Sequence, residues 1–290
     1  MKAAVLGSPI AHSLSPVLHR AAYEALGLDD WTYEAIECAE AGLAGLVESL
    51  GGAQQWAGLS LTMPLKRAVL PLLDHADPLV AATGGANTVV FRPDGRYGYN
   101  TDVQGIVDAL AEVGAPPPGN VTILGAGATA CSALAALPEI GASGADVVVR
   151  DPARAGDLLA AAARLHLRVR LLPFSSLGPA VGVDTAKRDR APVPGDLLIS
   201  TVPAGVADAF AARIRVTGQA PAAVLDVVYN PWPTALAQAA TAAGAMVASG
   251  FAMLLHQAAA QVELMTGKPA PLEAMRAAGE AEIARRAAAR

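Results

Sequence analysis

The run Gly125-Ala126-Gly127-Ala128-Thr129-Ala130 constrains this chain more than any other feature. It follows the apolar stretch Val121–Leu124 and opens an alanine-rich segment, so it lies where a buried strand turns into a helix. The spacing is G-x-G-x-x-A. The first glycine permits the tight turn, the second lets a ligand approach the backbone, and a small third residue lets the helix pack closely on the strand. Free N–H groups at the start of such a helix favour an anion. Turn and context together predict a dinucleotide held by its pyrophosphate. Further apolar runs at Asp146–Val149, Val169–Leu172, Leu197–Ser200, Val224–Val228 and Met246–Ala248 alternate with helical or loop segments. That alternation predicts a parallel, doubly wound sheet.

The end of the second strand in this half separates the two common nicotinamide dinucleotides. An acid there binds a ribose 2′-hydroxyl, whereas arginines take a 2′-phosphate. The sequence is Val149-Arg150-Asp151-Pro152-Ala153-Arg154. Arg150 and Arg154 favour NADP, because a guanidinium grips phosphate bidentately. Asp151 pulls toward NAD, or serves only as a helix N-cap ahead of Pro152.

The first half of the chain also alternates. Lys2–Leu6, Thr32–Ile36 and Gly58–Thr62 are expected as strands, and Pro16–Leu26 and Ala41–Leu50 as helices. Val89–Phe91 and Tyr97–Tyr99 flank the hairpin turn Pro93-Asp94-Gly95, and Val103–Val113 has a helical pattern. The cluster Ala115-Pro116-Pro117-Pro118-Gly119 is the sharpest break in composition. The predicted class is therefore α/β. A domain with a mostly parallel sheet spans residues 1–105 and is completed by the C-terminal helices of 252–290. A Rossmann domain spans 106–251, with a cleft between the two. Residues 178–195 are expected as a surface insertion.

With 290 residues the chain has room for two cores. A net charge of −5 and a pI near 5.5, with no basic stripe, argue against a nucleic-acid partner. The hydrophobic share of 53% comes from evenly spread alanine, and no run reaches the ~18–20 apolar residues of a membrane span. Met1-Lys2 leads directly into a strand, and Cys38 and Cys131 are too few for a disulfide framework, so a cytoplasmic setting with reduced thiols is expected. His12 and His19 have no Cys or acidic cluster in step, and no metal is expected.

Polar clusters remain, each at an expected element end. Gly7-Ser8-Pro9-Ile10-Ala11-His12-Ser13-Leu14-Ser15-Pro16 joins the first strand to the first helix. Ser15 before Pro16 is an ordinary N-cap, but Ser13 adds a second hydroxyl, and two hydroxyls beside a helix N-terminus suit a carboxylate. Ser60-Leu61-Thr62-Met63-Pro64-Leu65-Lys66 places Thr62 and Lys66 where a strand gives way to a helix. Gly85-Ala86-Asn87-Thr88 and Gly98-Tyr99-Asn100-Thr101-Asp102 flank the hairpin. Amides and hydroxyls with one ammonium and one carboxylate are what a polyol pocket needs.

In their order these motifs resemble the shikimate dehydrogenase family, and the resemblance covers essentially the whole chain. Gly7–Pro16 with His19, Thr62-x-Pro64-x-Lys66, Asn87-Thr88 and Asn100-Thr101-Asp102-x-x-Gly105 are similar to its early signatures. Gly125–Ala130, Ser200-Thr201-Val202-Pro203, Asp226–Pro231 with Thr234, and Gly250-Phe251-x-Met253-Leu254-x-x-Gln257-Ala258 are similar to its later ones. The resemblance implies reversible reduction of 3-dehydroshikimate to shikimate with NADPH; a monomer or homodimer is expected. It also implies residue roles: Ser13 and Ser15 on the substrate carboxylate, and Thr62, Asn87, Asp102 and Gln257 on the ring hydroxyls. Tyr229 is implied beside the substrate, and Lys66 with Asp102 as the catalytic pair. The cofactor set it implies is Gly125, Ala126, Gly127, Ala128, Thr129, Ala130, Arg150, Asp151, Arg154, Thr201, Val202, Val227, Gly250 and Met253. Ser60 stands where many members carry asparagine, and Val149 and Asp151 depart from the usual NADP pattern. An NAD-dependent quinate/shikimate dehydrogenase is the alternative within the class. A non-catalytic sensor with the same fold is the alternative outside it, disfavoured because a sensor needs no proton donor.

Overall fold

In the computed structural model the described residues are 1–51, 55–174 and 196–289. They divide into two units, one of Met1–Gly105 with Leu254–Arg290 and one of Ile106–Met253. The expected insertion at 178–195 lies outside the described residues.

The first unit is built on β1 (Lys2–Gly7), whose Ala3–Leu6 stretch is almost wholly buried, as a central strand requires. After it come α1 (Ser15–Ala25), β2 (Thr32–Glu37), α2 (Glu40–Gly51), β3 (Trp56–Leu61) and α3 (Leu65–Ala68). Next are β4 (His75–Ala76), α4 (Pro78–Thr83), β5 (Thr88–Arg92), β6 (Gly95–Tyr99) and the start of α5 (Asp102–Glu112). The sheet order is β2-β1-β3-β5-β6-β4. Strand β1 pairs parallel with β2 and β3, β4 pairs parallel with β6, and β5 runs antiparallel to β3 and β6. Leu6, Leu43, Val47, Leu59, Leu61 and Val89 form the core on one face.

Two local expectations change here. Ser15 is the first helical residue and not the N-cap, which is Leu14. The reason is Ser13, whose Oγ accepts the Ser15 N–H at 3.2 Å and offers the cap-like acceptor two residues earlier. The helical stretch expected after Pro64 lasts only four residues, because Pro71 follows within a turn and lacks the N–H that would continue it. That break frees the chain to add β4 at the sheet edge, a strand too short to show in the hydrophobic pattern.

The second unit contains β7 (Val121–Leu124), α6 (Ala128–Ala136), β8 (Gly144–Val149), α7 (Gly156–Arg164) and β9 (Arg168–Pro173). It continues through β10 (Leu197–Ser200), α8 (Asp208–Thr217), β11 (Ala223–Asp226), α9 (Ala235–Ala242) and β12 (Met246–Ser249) to the start of α10 (Gly250–Thr266). Its six strands run β12-β11-β10-β7-β8-β9, all parallel. Counted from β7 this is the 3-2-1-4-5-6 order of a dinucleotide-binding sheet, reversing between β7 and β10. Strand β11 ends two residues before the expected Val228, where the Asp226 carboxylate accepts the Val228 N–H at 3.3 Å. The last helix, α11 (Leu272–Ala288), belongs to the first unit and packs on α1.

Candidate active site

In the first unit the clusters that carry Lys66, Asn87 and Asp102 meet around one buried amide. Asn87 is 1% exposed and lies just before β5, where its N–H reaches the Tyr99 carbonyl and its own carbonyl accepts from Leu61. Its Oδ1 accepts the Thr101 N–H at 2.8 Å, which fixes which end of the amide is oxygen. Nδ2 therefore faces the other way and meets Asp102 Oδ1 at 2.8 Å, Thr101 Oγ1 at 2.9 Å and Gln257 Oε1 at 3.1 Å.

Asp102 begins α5 and is 4% exposed. Lys66 reaches it from the first turn of α3, with Nζ donating to Oδ2 at 2.5 Å. The two carboxylate oxygens thus divide their work, one on the ammonium and one on the Asn87 amide. A buried carboxylate without such partners would cost several kcal/mol, on the order of 3–5 when one partner is removed. Lys66 itself keeps 16% of its side chain exposed, so its other N–H donors remain within reach of a bound molecule. An ammonium held by a buried carboxylate at an accessible edge is a proton donor in a fixed position.

The remaining substrate candidates of this unit sit at the same element ends. Gly7 ends β1 directly beneath Thr62, and a Cβ there would lie 2.3 Å from Thr62 Cγ2, so only glycine lets the two loops close on each other. Thr62 is half-buried, as is Ser13, while Ser15 is 5% exposed. The loop carrying Ser13 is tied down from α11: Arg286 donates to the His12 carbonyl at 2.7 Å and to the Ser13 carbonyl at 3.4 Å. Tyr229 lies in the second unit, half-buried after β11.

The cofactor candidates lie in the second unit. Gly125 has φ of +103°, and a Cβ on it would stand 2.7 Å from Thr201 Oγ1 and 3.1 Å from Val202 Cγ1. Thr201 is itself fixed by donating to the Leu124 carbonyl at 2.6 Å. The Cβ position of Gly127 meets nothing within 4 Å, so the backbone there is open. Gly127 is the N-cap of α6 and offers no side-chain cap, which leaves first-turn N–H groups for an anion. This open cradle fits a pyrophosphate. Ala130 is fully buried and belongs to the helix–strand packing, while Ala126, Ala128 and Thr129 are half-buried. Gly250 presses on Val227, whose carbonyl oxygen would be 2.2 Å from a Cβ, and Met253 follows on α10, 7% exposed. Arg150, Asp151 and Arg154 are exposed beyond β8. The Asp151 carboxylate accepts the Ala153 N–H at 3.0 Å as the cap of a short 3-10 turn, Pro152–Arg154.

Sequence reasoning missed a second layer behind Asn87. Tyr33 OH donates to Ser60 Oγ at 2.6 Å, and Ser60 Oγ donates to Gln261 Oε1 at 2.7 Å. Gln261 Nε2 reaches Thr88 Oγ1 at 2.9 Å and the Asn87 carbonyl at 3.2 Å. Burial pushes the Tyr33 phenol far above its ordinary range, opposed by the hydroxyls of Ser60 and Ser15 beside it. One signal was readable: Gln257 and Gln261 lie one helical turn apart in an otherwise apolar stretch.

Comparison with known proteins agrees with this architecture. The family profile described as the shikimate dehydrogenase substrate binding domain matches residues 5–89, and that of the shikimate 5'-dehydrogenase C-terminal domain matches residues 250–278. The NADP(+) shikimate dehydrogenase of Citrifermentans bemidjiense is 40% identical over 277 residues, covering 93% of this chain and 91% of its own. The Mycobacterium tuberculosis shikimate dehydrogenase structure superposes with a TM-score of 0.82 at 44% identity, covering 97% of this chain and 99% of that one. The Thermus thermophilus enzyme in complex with NADP(H) and shikimate gives a TM-score of 0.79 at 32% identity, covering 97% and 99%. With matches that run nearly end to end in both chains, this protein belongs to the shikimate dehydrogenase family.

Proposed function

We propose that the chain catalyses the reversible, NADPH-dependent reduction of 3-dehydroshikimate to shikimate. The observation that carries this reading is the Lys66–Asp102 pair, buried on the carboxylate side and open on the ammonium side. Bound NADPH supplies the hydride that turns the substrate ketone into an alkoxide. The chain must then deliver a proton to that oxygen. Lys66 Nζ gives it, and in the reverse direction the neutral amine takes it back from the alcohol. Asp102 aims the ammonium and, with Thr62, Asn87 and Gln257, binds the ring hydroxyls. Ser13 and Ser15 hold the carboxylate near the start of α1.

For the cofactor, Gly125 to Thr129 receive the pyrophosphate, and Thr201, Val202, Val227, Gly250 and Met253 shape the rest of the dinucleotide site. NADP is favoured over NAD by the state of the charges beyond β8. The Asp151 carboxylate is occupied by a backbone N–H, whereas the Arg150 and Arg154 guanidiniums are exposed and engage no described residue. Among the described residues no helix is long and apolar enough to cross a membrane; the setting proposed for the enzyme is the cytoplasm, and its working form a monomer or homodimer.

Absorbance at the nicotinamide band, measured with shikimate or quinate and with NADP or NAD, tests the reading. Shikimate with NADP is expected to give the highest kcat/KM; no reduction of either cofactor by shikimate would refute it. Lys66→Ala should lower kcat by ~10²–10⁴ with a much smaller change in KM, and a near-normal kcat would remove Lys66 from its role.

A further inference from the structure

Two backbone groups determine the direction of every hydrogen bond behind the catalytic pair. The Thr101 N–H can only donate, so the atom of Asn87 that it meets is Oδ1, and Nδ2 must point at Asp102. The Asn87 carbonyl can only accept, so the atom of Gln261 that it meets is Nε2, and Oε1 must point at Ser60. Ser60 has one hydroxyl hydrogen, which Gln261 Oε1 takes, and the Tyr33 hydroxyl must then donate to Ser60. On the far side, Thr88 Oγ1 accepts from Gln261 Nε2, which leaves its own hydrogen for Asn87 Oδ1 at 2.8 Å. The bonds therefore form one chain with a single polarity: Tyr33, Ser60, Gln261, Thr88, Asn87, Asp102. All six residues are at most 4% exposed.

We infer that Tyr33, Ser60, Gln261 and Thr88 are positioning residues for the reaction: they form a one-way hydrogen-bond relay that orients and polarises the Asn87 amide toward Asp102, and through it holds the Lys66 ammonium in line. This rests on the dehydrogenase reading of Lys66 and Asp102. Each donor in a buried chain is strengthened by the bond it accepts, so removing an upstream member weakens the last donor without touching substrate. Gln261 does double work, because it links α10 to both the backbone and the neighbour of Asn87 across 173 and 174 residues of chain. Tyr33 is a reliable first member, being neutral, and its ring is clamped against His19 with centroids 3.9 Å apart.

Thr88→Val tests the relay, since valine keeps the shape and strand preference of threonine and deletes only the hydroxyl that links Gln261 to the Asn87 side-chain amide, leaving the bond from Gln261 to the Asn87 main-chain carbonyl. It should lower kcat for shikimate oxidation about 5-fold, the equivalent of one ordinary hydrogen bond, with a smaller change in KM. Because a weaker amide donor supports the carboxylate charge less, the kcat–pH profile should move toward higher pH. Thr88→Ser, which restores the hydroxyl, should restore both. Tyr33→Phe, which deletes only the first hydroxyl, should move the profile in the same direction by less and serves if the valine variant does not fold. The side-chain amide resonance of Asn87, followed by ¹⁵N NMR, should shift in Thr88→Val and return in Thr88→Ser whatever the activity. A folded Thr88→Val with wild-type kcat, pH profile and Asn87 resonance overturns the relay, as does a loss of Tm with those three unchanged. A wild-type enzyme that does not oxidise shikimate overturns the dehydrogenase reading instead, while the Asn87 resonance still decides whether the relay exists.

Discussion

Acid should weaken the first unit through His19, by an amount that follows from where the ring sits. His19 is fully buried in α1, stacked on Tyr33 at an interplanar angle of 20° and edge-on to Tyr23. Its Nδ1 faces the Ser15 carbonyl at 2.9 Å and must carry the hydrogen, so Nε2 is the bare nitrogen and has no partner among the described residues. A second proton would enter at Nε2 with no acceptor to meet it. Burial accordingly pulls the pKa from 6.5 down to about 4, against a smaller upward pull from the Ser15 carbonyl. The folded value lies below the unfolded one, so the unfolded chain takes the proton first. Stability that is complete above pH 6.5 is lost as pH falls toward 4. Between pH 7 and pH 5 the loss comes to about 2 kcal/mol. Asparagine is the informative replacement, because its amide can still donate to the Ser15 carbonyl but does not titrate. Urea unfolding at both pH values, read from Trp31 and Trp56 with Trp232→Phe as the common background, gives the comparison. His19→Asn will be less stable than wild type at pH 7, having lost the stack, but should lose about 2 kcal/mol less between pH 7 and pH 5. Carboxylates such as Glu282 and Asp74, both held near 2 by their arginines, titrate below this window and are common to both proteins. Equal losses in the two proteins would refute the assignment.

Replacing Arg150 and Arg154 together by alanine should raise the KM for NADP by about 10- to 100-fold, the scale of one or two charge-assisted bonds, and leave that for NAD nearly unchanged; steady-state kinetics with each cofactor decides it, and equal effects on both would show that the pair does not read the 2′-phosphate. The glycine loop offers a contrast between two neighbouring sites. Gly125→Ala should lower Tm, since φ is +103° and the new Cβ would strike Thr201, whereas Gly127→Ala should leave Tm unchanged and weaken NADP binding by filling the cradle. Calorimetry and a titration of each variant with NADP check both halves, and a Gly127→Ala protein that binds normally would mean the cradle is not where the pyrophosphate sits.

Much of the fold was legible because its signals are local. A left-handed turn needs Gly125, and strands buried on both faces read as continuous apolar runs, so β7, β8, β10 and β11 stand out in the sequence within two residues of their ends. Lys66, Asn87 and Asp102 were reachable for a related reason: each follows or precedes a short strand, where side chains of different elements meet. The relay was not reachable. Tyr33 looks like any aromatic residue of a strand, and Ser60 and Gln261, which bond at 2.7 Å, are 201 residues apart. Only the sheet order, which sets β3 between β1 and β5, brings these groups to one line under α10. Hydrogen-bond direction is a property of the assembled set and has no pattern in any one segment.

Ser60 shows why that set matters. From the family resemblance alone, serine in place of the more frequent asparagine reads as one pocket contact in doubt. In the structure the residue is 3% exposed, and its hydroxyl accepts from Tyr33 while donating to Gln261. A hydroxyl can do both with a single heavy atom, and so passes the polarity of the chain from one amphoteric group to the next. Alanine at this position would remove the Ser60 hydroxyl that accepts from Tyr33 and donates to the Gln261 carbonyl, a cost of about 1–3 kcal/mol for each buried group left bare. A half-satisfied buried network is worse than an apolar one. The constraint on position 60 is therefore to complete a line of donors that ends on Asp102, and the identity of the residue follows from what Tyr33 and Gln261 leave for it to do.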